Sequence, residues 1–397
     1  MAGGKMKRYD FDTPIERRGT DSIKWAVKDC ELPMWVADMD FKTASEITDA
    51  LVKRAEHGIY GYSDVGEEWY DAYINWWDKR HSFKMNKAWL MFCTGVIPAI
   101  SSTVRKLTTP NENVVIQTPV YNIFFNSIVY NGCRVLENRL IYKDGKYSID
   151  FDDLEKKLSD PQTTLMILCN PHNPVGKIWD KETLSKIGDL AAKYCVTVIS
   201  DEIHCDITKP GKDYIPFASV SDTCERISVT CIAPTKAFNI AGVQSAAICV
   251  PEPNLRYKVR RAINTDEVAE PSVFAHTAAA AAFNKGAEWL DEMREYVFDN
   301  RRIASEYIRK NISDIRLIDG EATYLLWIDI SSLGVASEYA YRTIRSETGL
   351  FVTNGAVYGS GGDGFLRMNV ACPRSFLEDG LDRLRRGVEI LKKEGKY

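Results

Sequence analysis

Three short polar clusters hold the groups in this sequence best suited to chemistry. Asn170-Pro171-His172-Asn173-Pro174-Val175-Gly176 follows the apolar run TLMILC, Asp201-Glu202-Ile203-His204 follows VTVIS, and Ala233-Pro234-Thr235-Lys236 follows ISVTCI. An amide, a carboxylate and a primary amine therefore close three successive β-type runs. Taken singly, each has an ordinary explanation. Asn-Pro pairs form turns, an aspartate after a strand caps, and a loop lysine is solvated. In a doubly wound sheet, however, ligands bind beyond the carboxyl ends of the strands, which puts all three groups on one rim. Such a set suits a pyridine ring that bears an aldehyde. A ring nitrogen stays protonated beside a fixed carboxylate, a role that fits Asp201. A ring oxyanion needs a neutral donor, which the Asn173 amide offers. The aldehyde needs an amine of perturbed pKa, which points to Lys236.

The cofactor those demands describe is pyridoxal 5′-phosphate (PLP). Its phosphate needs a place as well. Cys93-Thr94-Gly95-Val96-Ile97-Pro98 opens a helix, where free backbone N–H groups and the helix dipole favour an anion. The Thr235 hydroxyl, next to the lysine, is a further donor. Tyr121 follows Thr118-Pro119-Val120 at another strand end, where it either stacks on the ring or belongs to the core.

The elements that must position these groups follow from the pattern along the chain. At 397 residues the chain exceeds what one core normally serves, so two domains are expected. Residues 46–290 read as a large cofactor-binding domain, and 1–45 with 291–397 as a smaller α+β domain. In the large part, NVVIQ, TLMILC, VTVIS, ISVTCI and AAICV alternate with helical stretches, one of them capped by Asp180. Strands apolar throughout imply an α/β fold with a parallel sheet covered on both faces. Strands at Tyr324–Ile330, Leu350–Val352 and Phe365–Val370, then a helix from Pro373 to Lys393, make up the end of the chain.

Composition narrows the class further. Lys plus Arg is 51 and Asp plus Glu 55, a net charge of −4 that argues against nucleic acid as a partner. No apolar stretch is long enough for a membrane span, and no apolar segment marks an N-terminal secretion signal. A cytoplasmic protein is expected, with its ten scattered cysteines reduced and mostly buried. His204–Cys205 lacks neighbours at metal-ligand spacing, so no metal is expected. Residues 1–5 precede a second methionine, Met6, and stay outside the fold argument. Gly359, Gly361 and Gly364 spell G-x-G-x-x-G but lie between strand-like runs, which favours a loop over a dinucleotide site.

N-P-x-N-P-[TV]-G, D-E-I-H and P-T-K-x-F-N-I-A-G, in this order, resemble the fold-type I PLP enzymes of the aspartate aminotransferase superfamily, over nearly the whole chain. Trp35-Val36-Ala37-Asp38-Met39-Asp40-Phe41, Gly58-Ile59-Tyr60-Gly61-Tyr62-Ser63 and Phe365-Leu366-Arg367-Met368-Asn369 are similar to its cystathionine β-lyase, or C–S lyase, subgroup. The resemblance implies that Lys236 bonds the cofactor aldehyde and shuttles the proton, Asp201 pairs with the ring nitrogen, and Asn173 bonds the ring hydroxyl. It implies that Tyr121 stacks on the ring and that Gly95 and Val96 give N–H groups to the phosphate. Tyr62 would reach the phosphate of a neighbouring subunit, making a homodimer with shared active sites. Arg367 would clamp the substrate carboxylate, with Trp35 and Asn173 beside the substrate.

Three departures from the family pattern matter. Gln244 stands eight residues after the lysine, where many aminotransferases carry a phosphate-binding arginine. His204 stands where tyrosine is common, leaving its contact with the cofactor open, and Thr235 replaces the commoner serine. Gln244 favours β-elimination on L-cystathionine or a related cysteine S-conjugate, giving a thiol, pyruvate and ammonia. An aminotransferase of aromatic or sulfur amino acids is the alternative. A regulatory binding protein on the same fold is a third reading.

Overall fold

The computed structural model describes residues 8–394. Residues 1–5 and Met6 lie outside them. Seven strands form the central sheet: β1 (Leu90–Cys93), β2 (Asn113–Ile116), β3 (Arg134–Glu137), β4 (Thr163–Cys169), β5 (Thr197–Asp201), β6 (Ser228–Ile232) and β7 (Ala246–Cys249). Their spatial order is β1-β7-β6-β5-β4-β2-β3. The pairs among β3, β2, β4, β5 and β6 are parallel, as the apolar runs suggest. The exception is β7, read above as one more parallel strand: it runs antiparallel to both β6 and β1. The short connection from β6 to β7 explains it. Lys236 and a brief turn fill that link, which holds no crossover helix, and parallel pairing needs one.

Side chains of the central strands alternate between two cores, as the pleat requires. Val114, Ile116, Leu165, Ile167 and Ile199 pack on one face with the Val96–Leu107 and Pro253–Thr265 helices. Val115, Met166, Leu168 and Val198 pack on the other with Leu184, Ile187 and Ala191 of the Lys181–Lys193 helix. Asp180 caps that helix, its carboxylate accepting from the Thr183 N–H.

A second sheet of four antiparallel strands has the order β8 (Arg316–Leu317), β9 (Leu325–Asp329), β11 (Phe365–Asn369) and β10 (Thr353–Asn354). Leu350–Phe351, expected near this sheet, pairs with Leu32–Pro33 in a separate two-stranded ladder. The long helices Ala287–Asn311 and Arg374–Glu394 cover this part. The N-terminal segment packs in two directions. Trp25, Leu32 and Met34 join the core of the second sheet. Phe11, Met39, Phe41 and Ala44 join a cluster built on Trp69, Trp76, Phe283 and Trp289.

The glycine-rich run leads from a short 3-10 turn (Gly355–Tyr358) directly into β11. Gly359, Gly361 and Gly364 sit at φ of 88°, 82° and 84°, so the run is a tight loop with no helix behind it. Among the described residues no helix is long and apolar enough to cross a membrane. The ten cysteines are unpaired, and only Cys30 and Cys195 are exposed.

Candidate active site

The three central strands deliver their end groups side by side. Cys169 is in register with Asp201, and Asp201 with Cys231. Just beyond this edge lies a cavity of about 320 Å³ lined by, among others, Tyr121, Asn173, Asp201, His204, Lys236 and Gln244. Its floor at one end is Thr94-Gly95-Val96-Ile97-Pro98, the start of the Val96–Leu107 helix. Gly95 caps that helix with extended backbone and no side-chain hydrogen bond, so the first-turn N–H groups are left for a ligand. A Cβ on Gly95 would meet Pro98 Cδ at 3.1 Å, so a larger residue would crowd this end of the cavity.

Lys236 is partly buried, and its Nζ donates to the Ala37 carbonyl at 2.6 Å. Burial pushes its amine down to about 8; Arg367 pushes the same way, while Asp38 and Asp201 oppose. Asp201 accepts the Ile203 N–H at 3.1 Å, and burial pushes its carboxyl up to about 7 despite the nearby Lys236. His204 is buried, with no hydrogen-bond partner for Nδ1. Burial, then Lys236 and Arg367, hold its pKa at about 3, so the imidazole is neutral. Tyr121 meets Phe124 edge-on and gives its N–H to the Asn173 carbonyl.

The remaining sequence-derived residues lie beside the cavity or apart from it. Arg367 is buried next to it: Nη1 donates to Asn173 Oδ1 at 3.3 Å, Nη2 to the Trp35 carbonyl at 3.0 Å, and Nε has no partner. Trp35 thus meets Arg367 through its backbone. Its indole stacks on Phe351 at 4.7 Å and donates to the Lys24 carbonyl. Thr235 is buried beside Lys236, and Tyr62 is fully exposed. Gln244 follows the short Ala241–Val243 turn in the left-handed region, at φ 58°.

Sequence reasoning missed Ala37, Cys169, Tyr324 and Asn369. Ala37 acts through its carbonyl, which also accepts from Tyr324 Oη at 3.0 Å. Cys205, without neighbours at ligand spacing in the chain, meets His81 and Asp206 in space. There, Asp206 accepts from Trp76 Nε1 and faces His81 Nε2 at 2.9 Å, a hydrogen-bonded cluster within the core.

The carboxyl of Asp201 has a consequence for stability. A pKa raised from 3.8 to about 7 means that the folded chain holds a proton that the unfolded chain has lost. This contribution to stability is complete below about pH 4 and disappears as pH rises through 7. Glu202, raised to about 7 by burial, acts in the same direction. Cofactor-free Asp201→Asn should therefore lose less Tm than the parent chain between pH 4.5 and 7.5. Parallel Tm curves measured by scanning calorimetry would contradict this.

The aminotransferase class I and II family model matches residues 36–384, and the chain belongs to that family. The chain is 42% identical to cystathionine beta-lyase PatB of Bacillus subtilis (strain 168), across 95% of this chain and 99% of that protein. Among solved structures it is similar to cystalysin from Treponema denticola, which contains a pyridoxal 5′-phosphate cofactor. The TM-score is 0.94 and identity 33%, covering 97% of this chain and all of that one. A PLP-bound putative aminotransferase from Clostridium difficile 630 gives a TM-score of 0.93 and 38% identity, covering 96% of this chain and all of that one.

The residues present fit PLP on their own chemistry. A buried carboxyl raised to about 7 is one that a cationic ring nitrogen would ionise. A depressed buried amine suits an aldehyde, and an uncapped helix start suits a phosphate.

Proposed function

We propose that this chain is a PLP-dependent carbon–sulfur lyase. It removes the sulfur substituent from L-cystathionine or a related cysteine S-conjugate, releasing a thiol, pyruvate and ammonia. The observation that carries the reading is one cavity where the partly buried Lys236 amine, the Asp201 carboxyl and the Asn173 amide converge beside Arg367. The 42% identity to a cystathionine beta-lyase and Gln244 in place of a phosphate-binding arginine support the lyase over the transferase.

Lys236 anchors the cofactor aldehyde, and its freed amine takes the substrate α-proton. An amine held near 8 is partly neutral at working pH, as a base must be. Asp201 faces the ring nitrogen as a counter-charge. Asn173 has its Oδ1 turned to Arg367 and so offers its NH₂ to the ring oxygen. The Gly95 and Val96 N–H groups, with the Thr235 hydroxyl, hold the phosphate. Tyr121 covers the ring face. His204, uncharged, adds a neutral polar contact at the cavity wall. Arg367 grips the substrate carboxylate, and Trp35 supports that grip through its carbonyl. Bound PLP supplies the electron sink for the charge left by the departing α-proton.

The active unit is read as a homodimer in the cytoplasm, with the exposed Tyr62 reaching the cofactor phosphate of the neighbouring subunit. Among the described residues, those within 46–290 form the cofactor domain, and those within 1–45 and 291–397 the smaller one. The test is incubation of the PLP-loaded protein with L-cystathionine. Pyruvate and free thiol are expected without any added 2-oxo acid. Turnover only when a 2-oxo acid is supplied would overturn the lyase reading in favour of an aminotransferase, the reading favoured by the likeness to the Clostridium difficile protein.

A further inference from the structure

The segment Trp35–Asp38 crosses the active site without joining any sheet, and it bends at Val36–Asp38. Backbone carbonyls outside a ladder need other donors. Here side chains supply them. Trp35 O accepts from Arg367 Nη2 at 3.0 Å and from Thr353 Oγ1 at 3.2 Å. Ala37 O accepts from Lys236 Nζ at 2.6 Å and from Tyr324 Oη at 3.0 Å. The carbonyls on either side of Ala37, those of Val36 and Asp38, both accept from one group: Asn369 Nδ2, at 2.6 Å each.

Asn369 is itself fixed at both ends of its amide and at its own N–H. Its Oδ1 accepts the Ala371 N–H at 2.8 Å, and its own N–H donates to the Met34 carbonyl at 2.8 Å. It is buried and ends strand β11, two residues after Arg367. One amide therefore grips the bend from both sides of the peptide whose carbonyl meets the lysine.

We propose that Asn369 is a positioning residue for the reaction. By clamping the Val36 and Asp38 carbonyls, it turns the Ala37 carbonyl onto Lys236 Nζ and so orients the free lysine amine. The inference rests on the PLP reading of the site. The charged and titratable groups facing Lys236 are Asp38 from this segment, Asp201 from β5, His204 after β5, Tyr324 before β9 and Arg367 from β11. An uncharged residue in place of Asn369 adds no charge to this set. The Ala37 carbonyl favours the charged form of the amine, because it accepts a hydrogen bond from it. Turning it away lowers the pKa of the lysine.

The experiment measures PLP rebinding by the cofactor-free full chain across a pH series, followed by the absorbance of the bound cofactor. The rate should rise through a midpoint set by free Lys236. Asn369→Leu removes the donor NH₂ at nearly constant size and adds no charge beside Lys236. Its midpoint should fall by about one pH unit, the order expected for losing a hydrogen bond to a charged group. An unchanged midpoint, whatever happens to Tm, would reduce Asn369 to a structural role and overturn the proposal. Should the leucine variant fail to fold, Asn369→Ser decides in the same way: its shorter donor cannot hold both carbonyls, so a parental midpoint refutes the idea. If the parent chain takes up no PLP at all, it is the cofactor reading that fails.

Discussion

Lys236→Ala is expected to reduce lyase turnover by about four orders of magnitude or more, because one substitution removes both the cofactor anchor and the base. The fold should survive, for two reasons visible around the side chain. First, the amine is a partly buried group whose charged form desolvation disfavours, held near 8 where a free lysine has 10.5. A depressed folded pKa contributes stability above the unfolded value and loses it as pH falls through 8. At pH 7 the lysine is therefore a burden on the cofactor-free chain, and alanine removes it. Second, the Ala37 carbonyl is not orphaned by the change, since Tyr324 Oη still donates to it at 3.0 Å. The Tm of the cofactor-free variant at pH 7 should match or exceed that of the parent. Pyruvate release from L-cystathionine by Lys236→Ala within about tenfold of the parent rate, without added amine, would remove Lys236 from the mechanism.

The reason this lysine could be found in the sequence is local. β4, β5 and β6 are apolar on both faces, so their runs stand out, and each ends in, or leads directly into, a polar cluster. Three neighbouring parallel strands then bring Asn173, Asp201 and Lys236 together with no further information. The Val96 helix start was visible for the same reason, a glycine between a strand and a helix. Other parts had no such signal. The antiparallel sense of β7 depends on the short link from β6, and its apolar run AAIC reads alike in either direction. Leu350–Phe351 pairs with Leu32–Pro33, a partner more than 300 residues away that periodicity cannot name. The contacts that orient Lys236 and Arg367 run through the carbonyls of Ala37 and Trp35, and any residue type carries a carbonyl. Trp35 shows the limit well: its motif pointed to the site, while its indole faces Phe351.

Arg367 sits where these two kinds of information meet, and its replacement carries the second large expected effect. Its guanidinium is buried against Asn173 Oδ1, the Trp35 carbonyl and the Tyr358 ring, 5.0 Å from the ring centre. Neither of these hydrogen bonds goes to a carboxylate, and Nε is buried without a partner. A cation so placed is incomplete until an anion arrives, and a substrate carboxylate supplies one in the forked geometry that arginine matches. Arg367→Lys keeps the charge but loses the fork. The kcat/KM for L-cystathionine should fall about 100-fold or more, mainly through KM, which corresponds to roughly 3 kcal/mol of lost binding. PLP content should stay at the parental level. Arg367→Met goes further and removes the charge. Because Arg367 is one of the groups that hold the Lys236 amine down, that variant should also move the pH midpoint of PLP rebinding upward. The direction is opposite to that expected for Asn369→Leu, although both residues lie on β11 and both touch the Trp35–Asp38 segment. A general loosening of the strand would displace both midpoints the same way. Opposite shifts would separate the two roles: Arg367 acts on Lys236 through its charge, Asn369 through the carbonyl it turns.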